Sequence, residues 1–223
     1  GIGNSNLLEP AGTPDAEVSF LSVKSTGGKP IALLANYSLH YVGGVPPQHI
    51  SADYFAVFAD RIMELLKADR QDPPFIGIMS NGTSGDANNI NFKGPAERNE
   101  PYEKMKLVAE DVAREVYRQH NKVIFHDWVP LKAASSDISL KVRKPDNKMM
   151  ERAQYVIARP DTVKPVHRLE KTYAEFTVIL KEWPENIDAM LQTFRIGDMG
   201  IAAIPFEVFA ETGREIKAKC PFS

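Results

Sequence analysis

Two short apolar runs end abruptly in polar, chemistry-bearing loops, and this pattern limits the folds open to the chain more than any other. Ile31-Ala32-Leu33-Leu34-Ala35 runs straight into Asn36-Tyr37-Ser38-Leu39-His40. Phe75-Ile76-Gly77-Ile78-Met79 runs into Ser80-Asn81-Gly82-Thr83-Ser84-Gly85-Asp86-Ala87-Asn88-Asn89. Apolar runs of this length between glycines and polar residues read as buried strands. Ligands gather where the strands of a helix-flanked sheet end. A histidine at one exit and a Gly-Asp step at the other therefore read as parts of one site.

The segments around these runs fit that frame. Glu17-Val18-Ser19-Phe20-Leu21-Ser22-Val23 alternates as a strand, and Gly27-Gly28 turns it back into a second strand over 30–37. Tyr54, Phe58, Ile62 and Leu65 give a helix over 54–67, with Asp53 or Ser51 as its cap. The strand 75–79 follows. Pro101 opens a second helix striped by Met105, Val108, Val112 and Val116. Residues 125–142 read as extended, and two polar helices are expected at 147–158 and 166–182, as an exposed insertion that could act as a lid. Strands over 188–196 and 200–205 and a last helix over 208–218 complete an α/β fold. It is read as a mixed β-sheet core flanked by helices, with a polar helical insertion.

Composition removes several classes of function. The 223 residues carry a formal charge of −2 with a pI near 6.3 and no basic patch interleaved with aromatics, which excludes a nucleic-acid partner. No apolar run approaches the roughly 20 residues of a membrane span, so a transmembrane segment is not expected. Cys220 is a single cysteine and cannot pair within the chain. Residues 1–16 read as an irregular lead-in. They carry no signal peptide, and Gly1-Ile2-Gly3-Asn4 does not look like a natural start.

Three groups could carry chemistry. His40 stands at a strand exit, a rigid mount for a neutral imidazole that ligates a metal, although a lone histidine there is more often structural. His49 reads as exposed, and His120, His126 and His167 read as surface residues. In Gly82-Thr83-Ser84-Gly85-Asp86 the glycines allow close backbone approach to a ligand, and the bland alternative is a polar turn. The segment is neither a phosphate-binding loop nor a nucleophile elbow. Glu207 follows a third apolar run, Ile201-Ala202-Ala203-Ile204. It reads either as a carboxylate stabilised by a helix dipole or as a hard oxygen ligand.

At these places the sequence resembles the neutral, non-lysosomal ceramidases. Asn36-Tyr37-Ser38-Leu39-His40, with Ile50-Ser51-Ala52-Asp53, is similar to the segment that carries a zinc-binding histidine. The loop through Gly85-Asp86 is similar to the family's Gly-Asp-Val-Ser loop. Ile204-Pro205-Phe206-Glu207 with Thr212-Gly213-Arg214 is similar to the segment with its zinc-binding glutamate. The resemblance implies a zinc hydrolase that cleaves the amide of an N-acyl sphingoid base. Zinc would polarise the carbonyl and activate a bound water. His40 and Glu207 would be metal ligands, with side-chain tips expected within roughly 3–5 Å of each other or of a shared ion. Asp86 and Asn88 would be the catalytic-loop residues, and Ser84 and Gly85 would line the substrate.

The sequence also departs from the family. The family's serine two residues after the Gly-Asp aspartate is Asn88 here, and an amide can donate a hydrogen bond but cannot act as a nucleophile. A second zinc histidine before His40 and a ligand tyrosine after the glutamate helix are both missing. Residues 1–223 are accordingly expected to be the central-to-late part of a ceramidase-like catalytic domain, partnered by its remainder. A lipid substrate reached at a membrane surface is implied, as is a secreted or periplasmic setting. Two further readings stay open, a non-catalytic binding protein and another metallohydrolase. For the latter an oxygen-rich Asp86, Asn88 and Asn89 would suit a phosphoester or ester.

Overall fold

In the computed structural model, residues 7–222 are described; the expectations for Gly1–Asn6 and for Ser223 lie outside them. The chain forms two compact units. The first runs to Leu131 and includes Ile196–Gly200 and the segment from Phe206 onward; the second is Lys132–Arg195 with Ile201–Pro205.

In the first unit, β1 (Val18–Lys24) and β2 (Pro30–Tyr37) form the expected antiparallel hairpin. β3 (Ile76–Asn81) lies parallel to β2 and pairs with it alone among the described residues, giving a mixed sheet ordered β1-β2-β3. Helix α1 (Asp53–Leu65) connects β2 to β3, and α2 (Glu103–His120) packs against α1 and β1. The stripes foreseen for both helices point inward. Tyr54, Phe58 and Ile62 are fully buried with Leu33 and Ala35 of β2, and Met105 and Val116 of α2 close over them. Burial of side chains of this size contributes about 1.5–3 kcal/mol each. Arg61 of α1 grips Glu110 of α2 with two hydrogen bonds, Nε to Oε2 at 2.5 Å and Nη2 to Oε1 at 3.2 Å.

The ladder register places Leu21, Val23, Ala32, Leu34, Ile76 and Ile78 on the sheet face opposite Leu33, Ala35 and Met79. No helix among the described residues covers that face, and Val23, Ile76 and Ile78 remain 44–56% exposed.

Two local expectations need correction. The N-cap position of α1 is Ala52, which makes no side-chain cap bond, but the two expected residues do take up free amides there, Ser51 Oγ that of Asp53 at 3.0 Å and Asp53 Oδ1 that of Tyr54 at 2.7 Å. Asp53 is the first helical residue, at φ 56°, and its carboxylate reaches back to the loop after β2. His120 is not a free surface residue. Its ring packs on Phe20 and Phe125 and shares a hydrogen bond with Ser22 Oγ, and burial, together with the Lys24 charge, lowers its pKa.

The second sheet is separate, so the mixed core sheet is not continuous through the chain. Its order is β4 (Leu131–Lys141), β5 (Asn186–Ile196), β6 (Met199–Ala203). Only part of the extended stretch 125–142 is strand. The helical insertion is present as α3 (Asn147–Ala158), as expected, and α4 (Glu170–Glu182), which starts four residues later than expected. Asp146 caps α3 through Met149 N–H at 2.8 Å. The two helices pack on each other through Ala153, Val156 and Ala174. Beside this seam Glu170 accepts from Arg159 at 2.7 Å and from the Val166 amide at 3.0 Å, and these bonds, that of Arg159 first, lower its pKa. The last helix, α5 (Ala210–Lys219), begins three residues after Glu207.

Candidate functional site at the strand exits

Because β2 and β3 are parallel and in register, with Asn36 opposite Ser80 and Tyr37 opposite Asn81, both polar exits leave the same end of the sheet. Backbone geometry alone brings the His40 segment and the Gly-Asp loop together. Asn36 Nδ2 donates to Ser80 Oγ at 2.9 Å, and the Gly82 amide donates to the Tyr37 carbonyl at 2.9 Å. The Thr83 amide donates to Ser38 Oγ at 3.1 Å, and the His40 amide to the Ala87 carbonyl at 3.1 Å. Ser38 and Ser84 are buried in this joint.

The same loop holds the segment that carries Glu207. The Gly85 amide donates to the Val208 carbonyl at 2.9 Å, and Asp86 Oδ1 accepts the Ala210 amide at 2.8 Å. Asp86, rather than Glu207, therefore satisfies the free N–H at the start of α5, where a carboxylate also meets the favourable end of the helix dipole. Two glycines make this approach possible. A Cβ on Gly85 would lie 2.5 Å from the Glu207 carbonyl oxygen, and one on Gly213 would lie 2.0 Å from Thr83 Oγ1. Loop 82–89 is thus a knot joining the exits of β2 and β3 to α5.

Its side chains divide by exposure. Asn88 and Glu207 are exposed, and so is Asp86 apart from its bond to the Ala210 amide, whereas Ser84 is buried and Gly85 is half-buried. Asp53 completes the surround, a buried carboxylate that sequence reading took for a helix cap. It accepts the Val42 amide at 3.0 Å and the Gly43 amide at 2.8 Å, and fixes the backbone just past His40. The signal for this role was an aspartate ten residues after Gly43 of a Gly-Gly step, which by itself does not choose between cap and clamp. Burial raises the pKa values of the neighbouring phenols Tyr37 and Tyr54, so both remain protonated hydrogen-bonding groups at neutral pH.

The described residues do not by themselves make a zinc site. No group of three or more His, Cys, Asp or Glu side chains among them is arranged to hold a metal, so His40, Asp86 and Glu207 do not gather into one. His40 Nδ1 accepts the Tyr41 amide at 2.9 Å, which places the proton of the neutral ring on Nε2. A ligating histidine usually has the opposite arrangement, donating from one nitrogen and giving the other's lone pair to the metal. A cavity of about 360 Å³ lies between α3 and α4, and none of the candidate site residues lines it.

An α/β sheet whose parallel strands end in a glycine-tied polar loop defines a scaffold for ligand chemistry at the strand ends. The fold is similar to that of neutral ceramidases. The chain is similar in fold to the neutral ceramidase of Pseudomonas aeruginosa, with a TM-score of 0.53 at 13% identity, over 92% of this chain and 38% of the ceramidase chain. It is likewise similar to a ceramidase complexed with C2, with a TM-score of 0.58 at 14% identity, over 97% of this chain and 40% of that one. The chain thus spans 38–40% of the length of the ceramidases it matches. The sequence matches no family model and no curated protein.

Proposed function

We propose that this chain is part of a ceramidase-like hydrolase that cleaves the amide of an N-acyl sphingoid or related lipid amide. One observation carries the reading: in a ceramidase-like fold, loop 82–89 is hydrogen-bonded at once to the exits of β2 and β3 and to the start of α5. Those are the three segments whose sequences resemble the ceramidase motifs. The exposed Asn88 amide is the group that can donate to an amide oxygen as charge develops on it. Asp86 acts through the loop, by holding the backbone from which Asn88 projects. His40 and Glu207 are the residues this chain would offer to zinc, and the ion would supply Lewis acidity to the substrate carbonyl. Two ligands are fewer than the three or four protein ligands zinc sites use, so the purified chain should hold zinc well below one equivalent after dialysis.

A panel of N-acylsphingosine, a matched acyl ester and a phosphoester tests the reading. Turnover of the amide supports it. Turnover confined to the phosphoester moves the site to another metallohydrolase class, and lipid binding with no turnover makes the chain a binding protein.

A further inference from the structure

We propose that the cleft between α3 and α4 is a binding site for a small amphiphilic carboxylate, an acid with one apolar chain. The inference stands on the helical insertion alone and does not depend on the amide-hydrolase reading.

The cleft encloses about 360 Å³, within the range of small-molecule sites. At roughly 30 Å³ per group, the share of one water in the liquid, it takes about a dozen non-hydrogen atoms. Ala153 and Val156 of α3 and Ala174 of α4 line it from the buried seam of the helical pair. Met149 and Val166, 50% and 84% exposed, line it nearer solvent. A ligand with an apolar body would take these walls out of water.

The polar lining selects the head group. Glu170 is the carboxylate in it, and its oxygens are already engaged. Oε2 accepts from Arg159 at 2.7 Å and from the Val166 amide at 3.0 Å, while Oε1 faces Arg152 Nη2 at 3.6 Å. Two guanidinium groups thus stand against one carboxylate, which leaves a positive charge in excess. Arg159 is buried and spent on Glu170, but the Arg152 side chain is 71% exposed and sits beyond hydrogen-bond reach of it, so its fork of donors is open to a ligand. His167 Nδ1 accepts the Leu169 amide at 3.2 Å, which puts the proton of the neutral ring on Nε2, and the ring stacks on Tyr173. Among the described residues neither His167 Nε2 nor the Tyr173 hydroxyl has a hydrogen-bond partner, whereas Thr177 Oγ1 is spent on the Tyr173 carbonyl at 2.8 Å. The lining therefore offers donors and positive charge beside an apolar wall, with no open carboxylate. A ligand ammonium would meet Arg152; a ligand carboxylate matches its planar fork.

Calorimetric titration of the full chain with decanoate, which matches the cleft volume, tests this below the micellar concentration. Decanol and decylammonium carry the same chain without the anion, and acetate carries the anion without the chain. Decanoate should bind saturably, decanol and decylammonium about tenfold more weakly, and acetate not measurably. Arg152→Gln, at an exposed position, should leave the circular dichroism unchanged, weaken decanoate about tenfold and remove its advantage over decanol. Thr177→Trp fills the cleft and should abolish decanoate binding in a protein whose circular dichroism is that of the parent. The proposal is overturned if the parent does not bind decanoate, or if decanol or decylammonium binds as tightly. It is also overturned if either variant binds decanoate as well as the parent, which would place the acid elsewhere on the chain.

Discussion

Asp53 offers the sharpest test of how the site is held, because one side chain answers three backbone amides. Oδ1 accepts from Val42 at 3.0 Å and Tyr54 at 2.7 Å, and Oδ2 accepts from Gly43 at 2.8 Å. The residue is 6% exposed and adopts φ 56°, a left-handed conformation that Asp and Asn tolerate better than most residues. Asp53→Asn keeps the shape and the backbone preference but turns one acceptor into a donor, which must then face an N–H. One bond to a charged acceptor is lost and two are weakened. Such bonds contribute about 1.5–3 kcal/mol each. Val42 and Gly43 are only partly buried, so water recovers some of the loss, and a net cost of about 2 kcal/mol is expected. For a chain of this size that corresponds to roughly 4–8 °C in Tm. Asp53→Gly relieves the left-handed strain of about 1 kcal/mol yet leaves all three amides without the carboxylate, so it should cost more than Asn. Urea unfolding of the three proteins gives the order, and hydrogen exchange at the Val42 and Gly43 amides shows whether the loss is local. The reasoning is refuted if Asp53→Asn lies within about 0.5 kcal/mol of the parent, the ordinary range for an uninvolved surface change. It is equally refuted if the glycine protein is the more stable of the two variants.

Gly213→Ala pushes a methyl group onto Thr83 and should cost about 1–3 kcal/mol, with a smaller loss when Thr83→Ala is added; a double-mutant cycle in urea measures the coupling. Asp86→Ala should loosen α5 by about 1 kcal/mol and, on the proposed reading, lower turnover of an N-acyl lipid more than tenfold, as steady-state kinetics and circular dichroism together will show. Asn88→Ser replaces the exposed amide donor with a hydroxyl and should change that turnover by about tenfold in either direction while stability stays put. The lowered pKa of His120 means that the unfolded chain takes up its proton first, so stability is full above about pH 6.5 and falls as pH drops below it. His120→Gln should flatten the urea midpoint against pH in that window, and an unchanged slope would show that the buried ring is not responsible.

Much of the architecture is legible from periodicity. The span of β2 follows from its continuous apolar run, and a polar helix is legible over the span of α3. Convergence of the two polar exits also follows, since a strand–helix–strand unit makes the strands parallel. Other features depend on contacts between residues far apart in sequence. Glu207 and Asp86 are both acidic residues near the start of α5, and only the Gly85–Val208 bond decides which one reaches the Ala210 amide. Asp53 stands where a cap would stand and does accept the Tyr54 amide, but its carboxylate also reaches back to Val42 and Gly43, which no local pattern announces. His120 looks polar in a polar stretch until Phe20, from the far strand, covers it. The expected mixed sheet is present as β1-β2-β3, and the later strands form a second sheet, because hydrophobic alternation specifies which face of a strand is buried but not which strands pair.

The outer position of β3 also has a cost for anyone handling the chain. Ile76-Gly77-Ile78-Met79-Ser80-Asn81 contains no charge and no proline, pairs on one side only among the described residues and turns two isoleucines outward. Its unpaired N–H and C=O groups are a template on which another extended segment can grow. Concentration and time in solution therefore act on this edge before they act on the buried core, and material lost from a preparation will carry intermolecular β-structure built outward from these six residues.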